Sequence, residues 1–211
     1  MAAHASQPAD LDKSPERQLA PRLIVVIGAS TGGPRALTKV IPALRHDLPA
    51  AVLVVQHMPA GFTRSLAGRL DLLAGLKVQE ATQGASLNCG KVLLAPGGHH
   101  MAVGKDGHVL LNRERPIHGV RPAVDITMAS AVNYFGRMVI GVVLTGMGRD
   151  GTYGARLIRQ AGGFVIAEDE ATSIVWGMPR SVIEAGIAND VKPLDEIATA
   201  IERAVQNVAG I

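Results

Sequence analysis

The sequence has a single cysteine, Cys89, and few aromatic side chains: one Trp, two Tyr and three Phe in 211 residues. One cysteine excludes an internal disulfide and fits a reducing compartment, so the expected location is cytoplasmic. Aromatics at 3% leave few surfaces on which bases could stack. Charge of one sign is also in short supply. There are 21 Lys and Arg against 18 Asp and Glu, a net charge of +3, and the basic residues are scattered along the chain. A nucleic-acid partner, which calls for a concentrated basic patch, is not expected. No apolar run approaches the ~18–20 residues of a membrane span. The longest, around Met138–Leu144, is interrupted by Gly141. The N-terminus lacks the charged start, apolar block and small-residue cleavage site of a signal peptide. Direct membrane insertion is therefore not expected.

What is present is enough for a core. Hydrophobic residues make up 47% and charged residues 18%, which excludes an intrinsically disordered chain. Residues 1–22 are rich in Ala, Ser, Pro and Gln without a period, and read as a flexible tail. From residue 23 to 211 the pattern is that of one domain. Apolar runs at Leu23–Gly28, Ala51–Gln56, Lys91–Ala95, Met138–Thr145 and Gly163–Ala167 alternate with helix-like stretches. Those stretches are Pro34–Arg45, Gly61–Ala74, Ala123–Tyr134, Gly151–Gln160 and Pro193–Val208. Continuous apolar runs suit strands covered on both faces. Met101–Val103 and His108–Leu111, joined by Gly104-Lys105-Asp106-Gly107, read as a β-hairpin. The expected fold class is α/β: a doubly wound, largely parallel sheet with helices on both faces and an antiparallel β-hairpin.

In such sheets sites form where strands end and helices begin. Gly28-Ala29-Ser30-Thr31-Gly32 fits G-x-S-x-G between a strand and a helix, the context of a nucleophile elbow. A phosphate-binding loop and a plain strand–helix turn remain open for the same residues. Thr31 offers the natural first N–H to an oxyanion. A serine nucleophile needs a base, and His57 closes the second strand. A histidine base needs an orienting acceptor. Asp150 follows the most apolar strand, read as central, although it could instead cap the helix at Gly151. Asp125, at the start of the Ala123 helix, and Asp169 and Glu170, at another strand end, are competing acids. The order Ser, His, Asp differs from the Ser, Asp or Glu, His order of α/β-hydrolases. The adjacent His99-His100 pair lacks metal-ligand spacing, so no metal site is expected there.

Six blocks together carry a resemblance. They are Ile27-Gly28-Ala29-Ser30-Thr31-Gly32-Gly33-Pro34, Val55-Gln56-His57-Met58-Pro59, Leu94-Ala95-Pro96-Gly97, Arg121-Pro122-Ala123-Val124-Asp125, Leu144-Thr145-Gly146-Met147-Gly148-Arg149-Asp150-Gly151, and Ala171-Thr172-Ser173-Ile174-Val175-Trp176-Gly177-Met178-Pro179. In this order, over about Leu23 to Asn189, they resemble the catalytic domain of chemotaxis protein-glutamate methylesterases, the CheB family. The resemblance implies hydrolysis of glutamate γ-methyl esters on cytoplasmic helices of methylated chemoreceptors, with release of methanol, and deamidation of receptor glutamines as a companion activity. It implies Ser30 as nucleophile, His57 as base and Asp150 as its orienter, with Thr31 and the Met147 backbone at the oxyanion. It implies no metal or organic cofactor.

Two departures accompany it. Only 22 residues precede the first apolar run, too few for the receiver domain of the familiar architecture. A free-standing esterase, an excised piece, or a chain that works beside a separate receiver or regulatory protein are the three expectations. Glu168 stands where a neutral Gln is expected, and its charge is expected to alter affinity for an acidic receptor helix. Arg121 is expected to hold the loop before Val124 or to meet the receptor. Trp176 is expected in packing at the rim of the groove, and Met178-Pro179 at a helix start. Two other readings stand beside the esterase. One is a non-catalytic phosphate- or nucleotide-binding regulatory module, although the glycine pattern at Ser30 and the missing P-loop lysine count against it. The other is a triad hydrolase for a different ester or amide.

Overall fold

A computed structural model describes residues 20–210, so the expected tail at 1–22 lies outside the described residues up to residue 19. The first strand, β1 (Ile24–Ala29), is buried along its whole length. Its alternate side chains enter two separate cores. Val25, Ile27 and Ala29 join the core on one face of the sheet, and Ile24 and Val26 join the other. That is why the run has no polar alternation.

The chain continues through α1 (Gly33–Ala43), β2 (Ala51–Gln56), α2 (Phe62–Leu73), β3 (Lys77–Glu80) and β4 (Lys91–Leu94). A hairpin, β5 (His100–Val103) and β6 (Val109–Asn112), precedes α3 (Val124–Phe135). The rest alternates: β7 (Val139–Val143), α4 (Thr152–Gln160), β8 (Phe164–Glu168), α5 (Met178–Glu184), β9 (Asp190–Lys192) and α6 (Ile197–Ala209). Seven strands form one sheet in the order β3-β4-β2-β1-β7-β8-β9, and β5 pairs with β6 in a second. All pairings in the large sheet are parallel, and the hairpin is antiparallel. Helices α1, α2 and α6 pack on one face. Helices α3, α4, α5 and the hairpin cover the other. The expected doubly wound architecture is the observed one.

The differences have physical reasons. β3 and β9 are short edge strands, with polar and partly exposed residues, so no apolar run announces them. The central strand of the sheet is β1; β7, the most apolar run, lies beside it. The expected helix from Pro193 is preceded by a 3₁₀ turn at Leu194–Glu196, because Pro193 follows directly on β9. The chain leaves β1 toward β2 on one side and returns to β7 on the other. The carboxyl ends of β1, β2 and β7 therefore meet at the point where the winding reverses, the place where open α/β sheets form sites.

Candidate active site

Three residues separated by 120 positions converge at that edge because three strands end there. Ser30 follows β1 and its N–H donates to Thr145 O at 3.0 Å, extending the β1–β7 ladder by one step. His57 follows β2 and its N–H donates to Ala29 O at 3.1 Å, extending the β1–β2 ladder. Since Ala29 pairs with Gln56, Ser30 and His57 come next in register. Asp150 lies in the loop between β7 and α4, buried to 2% exposure. Its Oδ2 is 2.7 Å from His57 Nε2. Ser30 Oγ makes no hydrogen bond to the imidazole among the described residues; such contacts often close only when substrate binds.

The turn itself differs from a strained nucleophile elbow. Ser30 keeps a negative φ, as do all described non-glycine residues except His118. The left-handed step falls two residues later, at Gly32 with φ 86°, which caps α1. A side chain there would also meet Ile174 Cβ at 2.8 Å and Thr145 Oγ1 at 2.9 Å. Ser30 can thus continue the strand while the chain turns beyond it.

Asp150 is held by more than His57. Its Oδ2 accepts the Val124 N–H at 2.7 Å, and its Oδ1 accepts the N–H groups of Asp125 and Gly151, each at 3.0 Å. Burial pushes its carboxyl toward protonation, but the His57 and backbone donors outweigh this and hold its pKa below the usual value. An ionised carboxylate can only accept, so Nε2 carries the proton of that bond and Nδ1 is left with the free lone pair. The alternative role, capping α4, is met only in part: Asp150 shares the Gly151 N–H there with Asp125. Asp150 caps α3, and Asp125 caps α4 in exchange: Asp125 Oδ1 accepts the N–H groups of Gly151 at 2.9 Å and Gly154 at 2.8 Å. Asp125 has fewer donors, and burial raises its pKa. Asp169 spends its Oδ1 on Thr172 in the loop after β8, away from His57, and Glu170 is exposed nearby.

The family model described as CheB methylesterase matches residues 25–201. The chain belongs to the CheB methylesterase family. It is 55% identical, over 88% of its length, to a protein-glutamate methylesterase/protein-glutamine glutaminase of Symbiobacterium thermophilum. It is 48% identical, over 90%, to one of Pyrococcus horikoshii. It spans about half the length of these relatives, 51% and 52%. The crystal structure of the Thermotoga maritima CheB methylesterase catalytic domain superposes with a TM-score of 0.83 at 48% identity, covering 86% of this chain and 97% of that one.

Other groups around the CheB-family site escaped sequence reasoning. Gln56, 1% exposed, donates from Nε2 to Ser30 O at 2.9 Å and to His57 O at 3.2 Å. Its signals were a polar residue closing an otherwise apolar run and its place in the Val55–Pro59 block. Gly146 lies against the serine: a Cβ there would stand 2.7 Å from Ser30 Cβ and would strike Met178 Sδ. Thr145 accepts the Val175 N–H and donates its hydroxyl to Thr31 O, both at 2.9 Å. The N–H groups of Thr31 and Met147 have no acceptor among the described residues, while Met147 is 72% exposed.

Glu168 corrects another expectation. It offers no surface charge, being fully buried. Its Oε2 accepts the Thr145 N–H at 2.8 Å and its Oε1 the Thr172 hydroxyl at 3.2 Å. Burial raises its pKa, only partly opposed by these two donors. Arg121 donates to the carbonyls of Arg113 and Glu114, at 3.0 and 2.9 Å, and so holds the loop before α3. Trp176 is half-buried and bridges to Gly146, and Met178 begins α5. His99 accepts from Arg113, whereas His100 is buried and faces Arg115 O. Among the described residues, only His118, Asp125 and Asp150 have metal-ligand spacing, with candidate atoms within 4.8 Å. The carboxylates of that group already accept backbone N–H groups and His57. No described helix is long and apolar enough to cross a membrane.

Proposed function

We propose that residues 23–211 form a serine hydrolase unit that cleaves glutamate γ-methyl esters on the cytoplasmic helices of chemoreceptors, releasing methanol. The observation that carries this reading is the 2.7 Å His57–Asp150 bond at the strand edge where Ser30 ends β1. The names of the relatives support a protein glutamate methyl ester as substrate and add deamidation of protein glutamine as a companion reaction. A cytoplasmic setting follows from the receptor helices proposed as substrate.

The steps follow from the groups present. His57 Nδ1 takes the Ser30 proton as Oγ attacks the ester carbonyl. The N–H groups of Thr31 and Met147 receive the developing oxyanion, a contribution of about 10²–10³ in kcat per donor. The imidazolium is stabilised by Asp150, which stays ionised. His57 then returns its proton to the leaving methoxide, and methanol departs. Water attacks the acyl-enzyme by the same route and leaves a carboxylate on the receptor. A phosphate-binding loop would have no use for the buried His57–Asp150 pair.

The test is methanol release from methylated receptor by wild type, Ser30→Ala and His57→Ala. Both variants are expected to lose about 10³–10⁶-fold in kcat with folding intact. Retained turnover by Ser30→Ala would overturn the nucleophile assignment.

A further inference from the structure

Helices α3 and α4 leave an open groove between them, on the Asp125 side of the carboxylate pair, with a volume of about 540 Å³. Clefts that take ligands or peptide side chains span roughly 300–1,000 Å³. Ile126 and Ala129 line it from α3, one turn apart, and Tyr153 and Arg156 line it from α4. Tyr153 is 59% exposed and Ile117, at the groove end, is 37% exposed. Large apolar side chains left open in a concave site mark a surface awaiting a partner.

The charge on this groove is one-sided. Arg149 and Arg156 border it, and neither forms an ion pair among the described residues. His118 borders it as well. The one acid in the lining is Asp125, 5% exposed. Its Oδ1 is engaged by two backbone N–H groups and its Oδ2 lies 3.4 Å from His118 Nε2, so it presents little charge outward.

We propose that this groove docks an acidic amphipathic helix of the protein substrate, apolar side chains against Tyr153 and Ile126 and carboxylates against Arg149 and Arg156. The inference rests on the methylesterase reading and adds where the substrate is held. Two helices side by side present a trough that a third helix fills with side chains at i, i+3, i+4 and i+7. The charge fits, because each turnover converts an ester into a carboxylate, so a segment bearing several such esters becomes acidic as it is processed. Position fits too. Gly151 donates its N–H to both Asp125 in the groove wall and Asp150, which holds His57. The groove lining includes neither Ser30 nor His57, so docking there acts on substrate affinity rather than on the reacting groups.

The experiment compares wild type, Arg156→Glu and Tyr153→Ser on two substrates. One is the methylated receptor cytoplasmic fragment; the other is a short γ-methylglutamyl peptide that reaches only Ser30. The expected result is a KM for the receptor at least ~10-fold higher in Arg156→Glu, with kcat unchanged and the short peptide unaffected. Tyr153→Ser shifts the same KM by a smaller factor. Added salt raises the wild-type KM and leaves that of Arg156→Glu nearly constant. An unchanged receptor KM, or equal losses on both substrates, would overturn the docking site. Calorimetric titration of the receptor fragment into the Ser30→Ala chain, with and without Arg156→Glu, reads docking without turnover. If wild type releases no methanol, the esterase reading fails, while equal affinities in the titration overturn the groove. A wild-type dimer that Tyr153→Ser dissociates would assign the groove to a second copy of the chain and also overturn it.

Discussion

Asp150 and Glu168 are both buried carboxylates at the carboxyl edge of one sheet, yet their protons are driven in opposite directions. Asp150 receives His57 and three backbone N–H groups, two of them from the open start of α3. Glu168 receives one backbone N–H and one hydroxyl at 3.2 Å. Burial penalises charge at both sites, and the number and strength of donors sets the outcome. The consequence is functional. An ionised Asp150 can orient and stabilise an imidazolium. Glu168, whose pKa burial raises, is a tether that ties β8 to Thr145 and, through Thr145, to Ser30 and Thr31.

The largest effect should come from breaking the Asp150 side. Asp150→Asn keeps the shape but removes the acceptor that fixes the Nε2–H tautomer, and kcat for methanol release should fall about 10³–10⁴-fold. Circular dichroism should show the fold retained. Near-wild-type turnover would mean that the ionised carboxylate is not needed, and the contrast with Glu168 would lose its meaning.

Glu168→Ala should come next. It strands the Thr145 N–H in the interior, a cost of about 1–3 kcal/mol read as a lower melting temperature. Loosening of the Ser30 loop should reduce kcat about 10-fold, with little change in KM. Glu168→Gln, which can accept from Thr145 and donate to Thr172, should restore both. If Glu168→Gln is as damaged as the alanine variant, the charge itself is required and the tether account is wrong.

The two carboxylates also give stability opposite pH dependences. Because the Glu168 pKa is raised in the folded chain, the folded state keeps to higher pH a proton that the unfolded chain releases around the ordinary value of 4.5. That contribution is fully present below the unfolded value and is lost as pH rises through the folded one. Asp150 has the opposite sign: its contribution is present above its unfolded value of 3.8 and is lost as pH falls through the depressed folded one. Glu168→Gln should therefore flatten part of the decline in melting temperature above pH 4.5. Asp125, raised in the same sense, should account for a remaining slope. Identical pH profiles for wild type and Glu168→Gln would show that the Glu168 proton is not perturbed by folding.

The smallest effect is expected at Met147. Its backbone N–H is the proposed oxyanion donor, but the residue is 72% exposed. Met147→Ala should change stability by no more than about 0.5 kcal/mol. Hydrolysis of a short ester should change less than about 3-fold, because the N–H remains. A loss of several orders of magnitude would move the role from backbone to side chain.

Much of the candidate site's geometry is legible in the chain alone. Ser30 and His57 each close an apolar run, and parallel strands that follow one another are commonly neighbours. Register then brings them together, as Ala29 against Gln56 shows. Asp150 was harder. At the start of a helix an aspartate can cap its own helix or reach elsewhere, and the local pattern does not distinguish the two. The exchange in which Asp150 caps α3 and Asp125 caps α4 arises only when the two helix starts are packed side by side. Glu168 was misjudged as a surface charge for a similar reason. Polar neighbours in sequence, Asp169 and Glu170, conceal a side chain that turns inward toward β7.

The alternation of strands and helices, their doubly wound class and the chemical kinds of residue at three strand ends are all written locally in the chain. These depend on residue type and on periods of a few positions, which any chain carries locally. Which carboxylate meets His57, which has its pKa raised by burial, and which arginines border an open groove emerge only on folding. Those outcomes depend on donors and surfaces supplied by segments 20 or more residues apart. Burial then sets the protonation of each carboxylate by the partners folding has placed beside it.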